Sequence, residues 1–382
     1  MTEEKKTAPN SSVGADAEQS GNYTNPIITD LNCDFNNYAD NISRTQIEML
    51  REMDPTYLKT VSMAELYENV FYSNPPLIDG LLYTGTYLFV GAPKLGKSFF
   101  MAQLAYHVST GTSFWNYPVR KGTVLYLALE DDYQRLQKRL YRMFGTESTD
   151  NLFFSVTSKQ LGKGLTDQLS SFISKHPDTA LVIIDTLQKV REASGESFSY
   201  GNDYDIISQL KEFADRHKIC LLLVHHTRKQ KSDDNFDMIS GTNGLLGAAD
   251  GAFLLHKSKR TSNEAVLEVS GRDQQDQKFH LMRNTETLAW ELERADNELW
   301  KEPPDPLIEK IAEFIKSFGS VWQGSPTELA ETLKVDFNPN AMTRKLNVNA
   351  AKLINEYGVK YENYRTHNGR IIKLSLVERV DA

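Results

Sequence analysis

Gly91-Ala92-Pro93-Lys94-Leu95-Gly96-Lys97-Ser98 spells G-x-x-x-x-G-K-S, set between the apolar run Tyr87-Leu88-Phe89-Val90 and a helix-like run from Phe99 to Val108. Strand, glycine loop and helix in that order form a phosphate cradle. The glycines let backbone N–H groups turn toward phosphate oxygens, and the following helix adds its positive N-terminal end. Lys97 reaches the β- and γ-phosphates of a nucleotide, and the Ser98 hydroxyl suits Mg²⁺. The nucleotide-contacting stretch therefore runs from Gly91 to Phe99. ATP and Mg²⁺ are the expected ligands.

The residues that decide what is done to the phosphate lie further along. Val182-Ile183-Ile184-Asp185 is an apolar strand closed by a carboxylate, placed where Asp185 can hold Mg²⁺ through water opposite Ser98. Leu125 to Leu129 is closed by Glu130, a base suited to activate a water, with Asp131 the alternative and Asp131 and Asp132 also suited to cap the next helix. Leu223-Val224-His225-His226 brings two imidazoles to another strand end, and either can sense a γ-phosphate by a hydrogen bond.

Alternating strand and helix signals from about 75 to 300 must position these groups. Unbroken apolar strands such as Leu181 to Ile184 and Leu221 to Val224 belong in a sheet buried on both faces, so the fold class is α/β with a mostly parallel sheet. Residues 1–40 read as a disordered tail and 41–74 as a short helical segment, able to pack on its own domain or reach a neighbouring subunit. Three prolines in 301–306 mark a linker. Residues 307–380 read as three helices, the third from Ala341 to Tyr357 capped by Asn340, and a hairpin around His367-Asn368-Gly369: the order of a small winged-helix domain. Trp322 and Tyr364 read as core residues there.

Pro75-Pro76-Leu77-Ile78-Asp79-Gly80-Leu81-Leu82, the phosphate loop, Leu129-Glu130-Asp131, Ile184-Asp185-Thr186 and Val224-His225-His226-Thr227 together resemble the RecA-like P-loop ATPases. Within them they resemble the plasmid RepA-type hexameric replicative helicases. The resemblance implies Lys97, Glu130 and one of His225 and His226 as catalytic groups, Ser98 and Asp185 as metal ligands, and a ring-shaped homo-oligomer. It also implies a single-stranded DNA-binding loop over about 228–243, where Arg228 and Lys229 stand. Such rings complete each site with a basic residue of the next subunit, often within K-x-R. Here Ser270-Gly271-Arg272 keeps only the arginine, which makes Arg272 the candidate finger.

In the C-terminal region Arg344, Lys345 and Arg370 are candidate contacts to duplex DNA phosphates, joined by Lys352, Arg365 and Lys373. The chain of 382 residues has a net charge of −8, which excludes a uniformly basic surface but not a local basic channel. Its two cysteines, Cys33 and Cys220, lack metal-ligand spacing and fit a reducing cytoplasm. No apolar run approaches the ~20 residues of a membrane span, and no signal peptide is legible.

Overall fold

The sheet at the centre of the protein assembles from strands that are apolar on both sides. The structure, a computed structural model, describes residues 49, 51, 53–72, 74–191, 200–227, 236, 239, 243–259, 261–272, 274–296, 303–319, 321–367 and 369–377. The predicted tail at 1–40 lies outside them. By internal contacts the chain divides into Met1–Leu66 and Tyr67–Ala382. In the first unit the described residues bury little: Met53 and Leu58 are exposed, and Ser62 and Glu65 cap each other reciprocally at the start of a short helix, α1 (Met63–Glu68).

In the second unit β1 (Gly85–Gly91), β2 (Thr123–Ala128), β3 (Leu152–Ser155), β4 (Thr179–Asp185), β5 (Cys220–His226) and β6 (Gly251–His256) run parallel in the order β3-β2-β4-β5-β1-β6. Three further strands, β7 (Glu264–Gly271), β8 (Gln274–Arg283) and β9 (Trp290–Ala295), extend that sheet antiparallel from β6. Alternation sends Tyr87, Phe89, Tyr126, Ile183 and Val224 to one face, beneath α2 (Lys97–Thr110) and α3 (Tyr133–Phe144). Leu88, Val90, Val182, Ile184 and Leu223 face the other way, beneath α4 (Leu165–Lys175), α5 (Leu187–Val190), α6 (Tyr200–His217) and α7 (Asn243–Ala248). The observed core is an α/β P-loop NTPase core with a mostly parallel sheet.

C-terminal to the core, α8 (Pro306–Phe318), α9 (Pro326–Leu333), α10 (Pro339–Val348) and α11 (Ala350–Tyr357) pack with a small sheet. Its strands β10 (Trp322–Gly324), β11 (Val359–Thr366) and β12 (Gly369–Leu376) lie in the order β10-β12-β11. The hairpin forms where predicted. The single helix expected over Ala341 to Tyr357 does not: it starts at Pro339 with Asn338 as cap and breaks at Asn349, whose side chain donates to the Lys345 carbonyl. Asparagine readily offers such a local bond in place of the helical one. Trp322 is buried as expected, but Tyr364 is 42% exposed. On β11, Val359 and Tyr361 fill the inward positions and Tyr364 falls on the outward parity.

Residues 67–72 lie against this C-terminal layer. Asn347 Nδ2 donates to the Tyr67 carbonyl (2.8 Å), the Tyr72 hydroxyl donates to the Tyr361 carbonyl (2.6 Å), and Val70 packs on the apolar cluster.

Candidate active site

The site is built at the C-terminal end of the parallel strands, on the face that carries α2. β1 runs into the phosphate loop at Gly91, where a Cβ would come within 2.7 Å of the Leu255 carbonyl oxygen on β6. Only glycine allows that approach. Gly96 closes the loop in the left-handed region (φ 107°) and starts α2 directly at Lys97. Lys97 is 6% exposed, and its ammonium donates to the carbonyls of Gly91 (2.8 Å) and Ala92 (3.1 Å). Burial pushes its pKa down to about 8, against the opposing pull of the Asp185 and Glu130 carboxylates.

Strand register brings the other groups alongside. β5 pairs with β1 so that His226 lies opposite Gly91, and β4 pairs with β2 so that Asp185 lies opposite Ala128. His226 shares the face of Leu222 and Val224, and its Nδ1 sits 3.2 Å from the Lys97 ammonium. An Nδ1 that accepts from an ammonium leaves the ring proton on Nε2. Burial and the Lys97 charge hold the imidazole pKa below its usual value, which keeps it neutral. His225 points to the opposite face and is buried there. Of the two histidines, the structure brings only His226 to Lys97.

Asp185 is nearly fully buried and accepts from the Tyr126 hydroxyl (2.9 Å) and from the Ser98 hydroxyl. Burial raises its pKa, while these two donors and Lys97 oppose the rise. Glu130 follows β2, its Oε1 accepting from the Thr186 hydroxyl (3.2 Å). Asp131 turns away to an ion pair with Arg139 (2.6 Å), and Asp132 caps α3 through the Arg135 amide (2.8 Å). Glu130 is thus the carboxylate left facing Lys97. Neither Tyr126 nor Thr186 was expected in the site. Tyr126 shares the inward parity of Val124 and Ala128, which makes it legible only once the β2–β4 register is known.

A second support was not legible at all. Gln103 on α2 and Trp290 on β9 exchange two hydrogen bonds, Gln103 Nε2 to the Trp290 carbonyl (2.9 Å) and the Trp290 amide to Gln103 Oε1 (2.8 Å). Trp115 Nε1 donates to the same carbonyl (2.8 Å), and a Cβ on Gly96 would stand 3.1 Å from the Trp290 ring. Phe99 lies beneath two guanidiniums, Arg283 at 4.7 Å and Arg139 at 5.0 Å from its centroid.

The remaining predicted residues lie elsewhere. Arg272 is exposed at the turn after β7 and donates to the Gly247 carbonyl (2.7 Å). Gly271 pairs with Gly251, which pairs with Tyr87, so Arg272 stands at the opposite strand end from the phosphate loop. Four residues of strand separate those levels, about 13 Å. Arg228 and Lys229 fall outside the described residues. Arg344 and Arg370 come together, while Lys345 pairs with Asp305 (2.8 Å) instead.

A family model described as an AAA domain matches residues 53–232, which includes the phosphate loop, Glu130, Asp185 and His226. The core is a P-loop ATPase domain. That match supports ATP hydrolysis as the activity of the ATPase core. No curated protein matches the chain in sequence. Solved structures similar to it include one of an isolated ATPase domain, at 15% identity and a TM-score of 0.48, covering 65% of this chain and 95% of that one. A second, of a DnaB-like replicative helicase and its interactions with primase, has 15% identity and a TM-score of 0.48 and covers 69% of this chain and 74% of that one. Among the described residues no helix is long and apolar enough to cross a membrane.

Proposed function

We propose that the protein hydrolyses ATP with Mg²⁺ and couples the reaction to DNA, as a replicative helicase-like ATPase of the plasmid RepA type working in a ring. The convergence of Lys97, Ser98, Asp185, Glu130 and His226 at neighbouring strand ends, on one face of the sheet, carries this reading. The residues present fit the cation: Ser98 and Asp185 are adjacent hard oxygen donors, the small protein ligand set that Mg²⁺ takes beside phosphate and water. Bound there, Mg²⁺ would neutralise charge between the β- and γ-phosphate oxygens.

Lys97 holds the phosphates, Glu130 orients the attacking water and takes its proton, and Tyr126 fixes the Asp185 carboxylate by its hydrogen bond. His226, neutral and in contact with Lys97, reports the state of the γ-phosphate to β5. Arg272 cannot reach its own loop across the sheet, so it serves a neighbour's site. The C-terminal layer, with the helix and hairpin order of a winged helix, contacts duplex DNA through its arginines. Ser270, where K-x-R has lysine, favours a second reading in which hydrolysis drives DNA binding or recombination without strand separation.

The deciding test is ATP hydrolysis with and without single-stranded DNA, alongside strand separation on a forked duplex. Glu130→Gln is expected to bind nucleotide and lose roughly 10²- to 10⁴-fold in kcat. Unchanged turnover in Glu130→Gln defeats the assignment of the base, and DNA-stimulated hydrolysis without unwinding selects the second reading.

A further inference from the structure

Three arginines of the C-terminal layer converge on one carboxylate from the chain segment ahead of the core. Glu68 pairs with Arg370 on β12, stands 4.0 Å from Arg344 Nε on α10, and 3.8 Å from Arg365 on β11. The Arg370 side chain is 16% exposed, whereas that of Arg365 is 80% exposed. Glu362, the neighbouring carboxylate on the hairpin, is taken by Lys360 (2.9 Å) and Lys373 (3.6 Å). One negative charge therefore faces three positive ones, drawn from the helix and both strands of the hairpin. Glu68 is held in place by its neighbours, through the Tyr67 carbonyl on Asn347 and the Tyr72 hydroxyl on Tyr361.

A carboxylate and a phosphodiester offer guanidinium the same feature, two acceptor oxygens sharing one negative charge. We propose that Arg344, Arg365 and Arg370 form a phosphate-binding site for the duplex DNA backbone and that Glu68 occupies it as an internal competitor. Duplex binding then requires the 67–72 segment to yield its place, which links DNA capture by the C-terminal layer to the chain that leads into the ATPase core. This inference rests on the reading that the C-terminal layer binds DNA, and it adds the regulation of that surface.

The test uses the full chain and a fluorescent 20-base-pair duplex of arbitrary sequence, with anisotropy read at several salt concentrations. Glu68→Gln, which removes the charge and keeps the shape, is expected to bind about three- to tenfold more tightly. Arg365→Ala is expected to weaken binding and lower the salt slope by about one. Adding Arg344→Ala and Arg365→Ala to Glu68→Gln is expected to abolish the gain. In the wild-type protein, amides at 67–72 are expected to exchange faster when duplex is added.

Equal or weaker binding by Glu68→Gln, or unchanged exchange at 67–72, overturns the competitor role. If the arginine substitutions still weaken binding in that case, DNA recognition by the C-terminal layer survives. Duplex affinity indifferent to all three arginines overturns both.

Discussion

Lys97 enters its site with a pKa of about 8 because it is buried, and that has a consequence for both ligand binding and stability. Phosphate favours the ammonium form, so nucleotide binding at pH 8 to 9 should draw up to about one proton from solvent. Calorimetry in buffers of different ionisation enthalpy is expected to show that uptake, and affinity is expected to fall as pH climbs past 8. For the protein alone the sign is reversed. A lysine whose folded pKa lies below its ordinary 10.5 leaves the unfolded chain holding more protons between about 8 and 10.5. Its contribution is therefore a penalty that is full below pH 8 and fades as pH rises through that window. Tyr126 offers a second test at this scale. Tyr126→Phe removes one donor from buried Asp185 and is expected to cost about 1–3 kcal/mol, read as a lower melting temperature.

Elements decide whether those residues meet. α2 is tied to β9 by the paired bonds of Gln103 and Trp290, and through Trp290 to Gly96. Gln103→Ala leaves the Trp290 amide without its partner, while the Trp290 carbonyl keeps the Trp115 donor. It is expected to lower stability by about 1–3 kcal/mol and weaken nucleotide binding, measured by thermal melting with and without ATP. Such a tie joins residues 187 positions apart, and no periodicity encodes it. By contrast, the phosphate loop and the strands ending at Asp185 and His226 were legible, because unbroken apolar runs mark buried parallel strands and a polar residue ending such a run marks the ligand side. The choice between His225 and His226 was not legible. It depends on which face of β5 carries α2, a tertiary fact. The break at Asn349 escaped for a local reason, since apolar spacing continues through it while one side-chain bond to Lys345 ends the helix.

At the scale of the whole molecule, one chain holds the parts of a hydrolytic site at two ends of its sheet. The phosphate loop stands at one end and Arg272 at the other, so on the proposed reading a site is complete only between copies. Mixing subunits tests this. Lys97→Ala and Arg272→Ala are each expected to be nearly inactive alone. An equimolar mixture should recover about a quarter of wild-type hydrolysis, the share of random interfaces that pair an intact loop with an intact arginine. No recovery on mixing would place the finger elsewhere. The described segment 67–72 adds a second tie of long range, running from the chain ahead of the core to α10, β11 and β12.

The indole of Trp290 touches the turn that must close around phosphate, with Arg283 and Lys257 within 6 Å of its ring. The chain has four tryptophans, and this one is an optical reporter already in place. Any change in the backbone at Gly96 alters the charges over an excited ring, so its emission should shift when ligand arrives. Stopped-flow fluorescence can then time loop closure without a label, and Trp290→Phe should silence the signal.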